Sequence, residues 1–159
     1  MEDCHVTTKQ TMAHSQMLRS AYALNQDTAL DNAVYVHFSN ATTPYVNIGN
    51  FVYRALPHPD VIPGNVCMNA VQRRHARVYE VGMPVEVFDF HVPVDRDFTI
   101  SRVTLEASWL KARGAPTELP DMTALVNHVR THLLGDVLTF GQSVVIKMND
   151  VHILLFDSN

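Results

Sequence analysis

Short apolar runs, broken by Pro, Gly and Asn, set the pattern of this chain. Val85-Glu86-Val87-Phe88-Asp89-Phe90 alternates strictly, the period of a half-buried strand. Ala33-Val34-Tyr35-Val36-His37-Phe38 mixes β-branched and aromatic residues and predicts a strand, with Asn40-Ala41-Thr42-Thr43-Pro44 as its turn. Tyr45 to Ile48 and Phe51 to Leu56 predict a second extended stretch, with Gly49-Asn50 as a turn or bulge between them. Val66-Cys67-Met68 is short and extended, Val71 to Ala76 reads as a helical turn or loop, and Gly82-Met83-Pro84 as a turn. Phe98 to Ala107 alternates again, and Trp109 to Arg113 closes that run before Gly114-Ala115-Pro116. Asp121 to Leu134 carries Met122, Leu125, Val126, Val129, Leu133 and Leu134 on one helical face, with Asp121 able to cap its start and Gly135 suited to its end. Val137 to Phe140, Ser143 to Met148 and Val151 to Phe156 predict strands, the last two joined by a hairpin turn at Asn149-Asp150.

This order gives strands first, then strands with one helix, and lacks the βαβ alternation of a doubly wound sheet. Residues 1 to about 16 show no sustained periodicity, so residues 1–20 are expected to form a flexible tail. The first unit is then expected over 21–90, a proline-containing linker over 91–94, and a second unit over 95–159. At 159 residues and 47% hydrophobic, the chain can bury a core. Its net charge of -4 gives no overall bias toward nucleic acid. No apolar run approaches the roughly 18 residues of a membrane span, and no signal-peptide core follows Met1. Cys4 and Cys67 form neither a Cys-x-x-Cys pair nor a disulfide framework, which fits a reducing, cytoplasmic setting.

The organising stretch is His58-Pro59-Asp60-Val61-Ile62-Pro63-Gly64-Asn65-Val66. Pro63-Gly64 predicts a type II turn with Gly at its third position. Soon afterwards come Gln72-Arg73-Arg74 and Arg77, the densest positive charge in the chain, with Lys111 and Arg113 further on. These arginines read either as an ordinary solvated surface or as a carboxylate-binding patch, since a guanidinium fork matches a carboxylate. His128 and His132 share a helix face at zinc-motif spacing, but Val129 stands where the motif needs Glu. Cys67 beside His58 or His75 could pair as nucleophile and base, although an apolar run suits a buried structural cysteine better. The chain contains neither a P-loop nor a dinucleotide-binding glycine fingerprint.

The set His58-Pro59, Val61 to Val66, Gln72-Arg73-Arg74, Val81-Gly82, Thr104-Leu105-Glu106, Trp109-Leu110, Phe140-Gly141-Gln142 and Leu154-Leu155 resembles the N-terminal domain of the N-ethylmaleimide-sensitive, vesicle-fusing AAA ATPases, in register from about Asn32 to Phe156. The resemblance implies a mixed β and α+β fold: a double-psi β-barrel subdomain followed by a small α/β subdomain. It implies a non-catalytic domain that binds soluble attachment protein and, through it, SNARE complexes. The family's basic pair after Gln falls on Arg73 and Arg74. Its second basic pair falls on Ala112 and Arg113, so one charge is missing, with Lys111 adjacent. Arg19 is the nearest counterpart of a further basic residue. By the same resemblance this chain takes no cofactor, and no metal or catalytic residue is expected. ATP, magnesium and hexamer formation belong to the full-length family protein, and recruitment to membranes is peripheral, through partners. Two alternatives stand beside this reading: an N domain like that of valosin-containing protein, binding ubiquitin-pathway adaptors, and a small enzyme on a double-psi barrel.

Overall fold

Six strands between Ser15 and Phe90 close on one another around a core of aliphatic side chains and Tyr53. The computed structural model describes residues 14–95, 97–110, 121–148 and 151–157. The barrel strands are β1 (Ser15–Tyr22), β2 (Val34–Val36), β3 (Tyr45–Ile48), β4 (Phe51–Pro57), β5 (Asn65–Met68) and β6 (Pro84–Phe90). Around the barrel they run β1-β5-β2-β4-β3-β6, and β6 returns to β1. The β1–β5 and β2–β4 pairs are parallel, and the other four are antiparallel. This is a double-psi β-barrel. Strict alternation along β6 becomes burial of Val85 and Val87 against the core, with Glu86 facing out.

Residues 15–20, expected in the flexible tail, form most of β1 and hydrogen-bond to β5 and β6 on either side. Only Leu18 and Ser20 of this strand are fully buried, and one of them is polar. Pairing rather than hydrophobic patterning holds the strand, which explains why the sequence hides it. Gly49-Asn50 is the turn between β3 and β4. At the crossover, the Asn65 N–H donates to the Ile62 carbonyl at 3.0 Å and Gly64 has φ +84°, the turn that Pro63-Gly64 predicts.

Residues 91–94 carry no helix or strand. The second unit is a three-stranded antiparallel sheet, β7 (Leu105–Trp109), β8 (Ser143–Met148) and β9 (Val151–Asp157), with β9 in the middle. The helix α2 (Met122–His132) packs across it, capped by the Asp121 carboxylate, which accepts the Thr123 N–H. The architecture is thus a double-psi barrel followed by a small α/β subdomain. Of the apolar helix face, Leu125 is buried and Val129 and Leu133 are partly buried, whereas Met122, Val126 and Leu134 stay exposed. The expected strand over Phe98 to Ala107 shrinks to its last three residues. Leu105 pairs with Asp157, the last described residue of β9, and none of residues 98–104 joins a strand among the described residues. The expected strand at Val137 to Phe140 is absent. Thr139 instead closes a turn in which its N–H meets the Gln142 side chain and its carbonyl accepts the Gln142 N–H. The turn expected at Asn149-Asp150 lies outside the described residues.

β8 is buried on both faces. Val144 and Ile146 join the core under α2, while Val145 packs with Leu30 and Val71 of the first unit. Its continuous Val-Val-Ile run is the sequence mark of that two-sided burial. Among the described residues no helix is long and apolar enough to cross a membrane.

Candidate functional site

The arginine cluster rises from a short helix, α1 (Ala70–His75), that follows β5 directly. A reciprocal capping box starts it. The Asn69 side chain accepts the Gln72 N–H at 2.9 Å, and Gln72 Oε1 accepts the Asn69 N–H at 2.8 Å. Gln72 also donates from Nε2 to the Ala33 carbonyl, and its side chain is 2% exposed. Gln72 is therefore a buried strut that ties α1 to the start of β2. The next residues turn outward. Arg73 donates from Nη1 to the Met68 carbonyl at 2.8 Å and lays its guanidinium over the Tyr22 ring, 4.8 Å from the centroid. Arg74 and Arg77 are exposed.

The helix ends in a Schellman motif. The Val78 N–H reaches the Arg73 carbonyl and the Arg77 N–H reaches the Arg74 carbonyl. Arg77 occupies the left-handed position with φ +56°, where glycine is the usual residue. Basic residues in the last turn also suit the negative end of the helix, so the placement of Arg73 and Arg74 has a local electrostatic reason as well.

Arg19 comes from β1, far away in sequence. Its Nη1 donates to the Gly82 carbonyl at 3.2 Å. Next to it, Ser20 holds the loop before β6 through three bonds. Its hydroxyl donates to the Glu80 carbonyl, its N–H to the Met83 carbonyl, and its carbonyl accepts the Gly82 N–H. Arg19 thus holds the segment 79–83 through a side-chain bond, while Arg73 meets Val78, the residue before that segment, through the backbone bond from Val78. Lys111 and Arg113, the other expected site residues, lie outside the described residues.

Apart from the arginine cluster lies a groove of about 600 Å³ lined by both units, among them Asp31, Tyr35 and Arg54 from the first and His128, His132 and Lys147 from the second. It is mixed in charge, and of the six expected site residues none described here lines it. Asp136, its side chain 2% exposed, meets Arg54 Nε at 2.5 Å and accepts from Asn32 Nδ2 at 3.0 Å. Burial nevertheless pushes the Asp136 carboxyl up from its ordinary value. The Tyr35 hydroxyl donates to Asp31, which also faces Arg54 at 3.8 Å. Burial chiefly, and then the Asp31 contact, push the Tyr35 phenol up. The rings of His128 and His132 stack 6.1 Å apart, as their spacing predicts. His128 Nε2 meets the Lys147 carbonyl, whereas His132 Nε2 is buried without a hydrogen-bond partner, and burial lowers the His132 pKa. Among the described residues no group of three or more His, Cys, Asp or Glu is placed to hold a metal ion.

Among the described residues Cys67 makes no side-chain hydrogen bond to His58 or His75. Cys67 is buried in β5, and burial pushes its thiol up, away from the reactive thiolate. His75 is engaged elsewhere. It meets the Tyr53 hydroxyl at 2.9 Å, stacks on Phe51 with centroids 4.4 Å apart, and accepts the Ser143 N–H from β8 at 3.4 Å. Burial first, and Arg74 second, lower the His75 pKa. Sequence reasoning missed Asp31, Arg54, Asp136 and the exposed apolar loop at 79–83. Asp31, Arg54 and Asp136 carry no motif, and the sequence marks the loop only by Val81-Gly82 and a turn at Gly82-Met83-Pro84, which say nothing of its exposure.

No family model matches the chain. A curated relative, the vesicle-fusing ATPase of Arabidopsis thaliana, is 31% identical over 106 residues, covering 67% of this chain and 14% of that protein. On this match, and on a double-psi barrel with an appended α/β unit, the chain is related to the vesicle-fusing ATPases, in a part with the architecture expected of their N-terminal domain.

Proposed function

We propose that this chain is a non-catalytic adaptor-binding domain of a vesicle-fusing ATPase. It binds soluble attachment protein on SNARE complexes, so that an ATPase module elsewhere in the full-length protein can disassemble them during vesicle transport. ATP, magnesium and hexamer formation belong to that module. The domain works in the cytoplasm and reaches membranes through its partners. The observation that carries this reading is the exposure of Arg74 and Arg77 at the end of α1, beside Arg73, whose guanidinium lies over Tyr22 of β1, the strand that also carries Arg19. Guanidinium groups in such a set suit an acidic protein surface, steering it by charge and then pairing with its carboxylates. An enzymatic reading finds less support, because Tyr35, Asp31, Arg54 and His128 of the inter-unit groove are engaged in structural contacts, Arg54 with Asp136 beyond it.

The test is a calorimetric titration of the chain, displayed on a hexameric scaffold, with soluble attachment protein preloaded on a SNARE bundle. Display restores the avidity that a single domain lacks. Arg73 also holds the Met68 carbonyl, so reversing it would disturb the fold along with the charge. The informative variant is Arg74→Glu with Arg77→Glu, both exposed. Binding should weaken with salt and fall at least tenfold in the variant, with the far-ultraviolet circular dichroism unchanged. Absence of binding by the displayed wild type would overturn the proposal and turn attention to ubiquitin-pathway adaptors.

A further inference from the structure

The segment between α1 and β6 has a rigid backbone and an apolar exterior. Val78 plugs the barrel core. The residues after it alternate outward: Tyr79 is 80% exposed, and Val81 and Met83 are also exposed. Every second position along five residues thus offers an apolar side chain to solvent. Tyr22, 66% exposed, and Met17 are further exposed apolar residues on β1, the strand that holds this loop. The loop is not loose. Its backbone is fixed by Ser20 at the Glu80 carbonyl, the Gly82 N–H and the Met83 carbonyl, by the Arg19 side chain at the Gly82 carbonyl, and by the Schellman bond from Val78. None of these bonds uses the Tyr79, Val81 or Met83 side chain. A held backbone presenting Tyr, Val and Met toward water, framed by arginines, has the composition of an interface centre.

We propose that Tyr79, Val81 and Met83 form an apolar anchor site for an acidic protein partner, which places carboxylates on the flanking arginines and inserts an apolar side chain against this loop. The inference rests on the adaptor-binding reading and deepens it: the arginines steer and orient, and the loop supplies contact that salt does not screen. Charge selects a protein over a membrane or a nucleic acid. Exposed Glu80 lies between Tyr79 and Val81, and exposed Glu86 pairs opposite Met17. A uniformly anionic surface or polymer would meet both carboxylates, whereas a protein can leave those positions neutral or basic.

The experiment compares the wild type, the triple variant Tyr79→Ser/Val81→Ser/Met83→Ser, and Arg74→Glu/Arg77→Glu. Each is the full chain on the hexameric scaffold, titrated with soluble attachment protein on a SNARE bundle across a salt series and at two temperatures. The triple variant should bind at least tenfold more weakly at every salt concentration, with the slope of affinity against salt unchanged. Its binding heat capacity should be less negative, because less apolar surface is buried. The arginine variant should lose the salt slope instead. The single variant Tyr79→Ser, at the most exposed of the three positions, should lose several-fold affinity and guards against a folding defect in the triple. Triple-variant binding within twofold of wild type, with the arginine variant impaired, would sink the anchor and leave the arginine patch standing. Failure of the wild type to bind would overturn both. Wild-type binding to vesicles of phosphatidylserine and phosphatidylcholine that the triple variant loses, with adaptor binding intact, would reassign the loop to a lipid surface and also overturn it.

Discussion

Arg77 holds a backbone position that suits glycine. An L-residue in the left-handed region costs about 1 kcal/mol relative to glycine, and among the described residues the exposed Arg77 side chain makes no hydrogen bond or ion pair that would offset it. Arg77→Gly should therefore raise the unfolding midpoint by several degrees while weakening adaptor binding. Thermal unfolding and titration of the same variant separate the two effects, and a variant that is stabilised but binds normally would remove Arg77 from the patch. The histidines give a second expectation at this scale. Burial lowers the pKa of both His75 and His132 in the folded chain. The unfolded chain, with histidine near its ordinary value of about 6.5, then binds more protons as the pH falls. Their contribution is fully present above that value and is withdrawn below it. The unfolding midpoint should drop between pH 7.5 and pH 5.5, and His132→Gln should flatten part of that drop. An unchanged pH profile in His132→Gln would show that the ring titrates normally.

At the scale of elements, the Gln-Arg-Arg triplet divides its labour by helical geometry. Gln72 points inward and serves the Asn69 N–H and the Ala33 carbonyl, while Arg73 and Arg74 turn toward the surface. Gln72→Ala would leave both backbone groups buried and unsatisfied, at a cost of about 3 kcal/mol. Chemical denaturation should show that loss. The variant should also bind the adaptor more weakly, because α1 positions the arginines. Gln72→Glu should restore the bond to the Asn69 N–H but not the one to Ala33, and so fall between. The triplet was legible in the sequence as a motif, but nothing in the sequence separated strut from surface. The same holds for β1, where two buried positions in eight residues gave no pattern to read.

At the scale of the whole molecule, the two units are joined by a polar seam as well as by the Leu30, Val71 and Val145 contact. Arg54 of β4 pairs with Asp136, which follows α2, and the Tyr45 hydroxyl donates to the Gly135 carbonyl at 2.7 Å. His75 reaches Ser143 from the other side. Arg54→Met would strand a buried carboxylate and cost about 3 kcal/mol near neutral pH. The Asp136 pKa is already raised by burial and would rise further without its cation. Protonation would then relieve the strain, so the gap between variant and wild type should narrow as the pH falls from 7 to 5. Urea unfolding at the two pH values measures this, and a constant gap would mean that Asp136 stays charged.

The sequence by itself determined the local chemistry: the alternation of β6, the Pro63-Gly64 turn, the Asp121 cap, the span of α2, and the resemblance borne by short motifs. These depend on neighbours along the chain, where dihedral preferences and hydrophobic period act directly. Only the tertiary structure decided that Arg19 stands beside a loop some sixty residues later. It also decided that Gln72 is buried while Arg74 is not, that Val145 faces the barrel while Val144 faces α2, and that Tyr79, Val81 and Met83 remain in water. Each of these depends on which strand lies next to which. A parallel crossover such as β1 beside β5 is set by packing of the closed barrel and leaves no periodic trace in either segment.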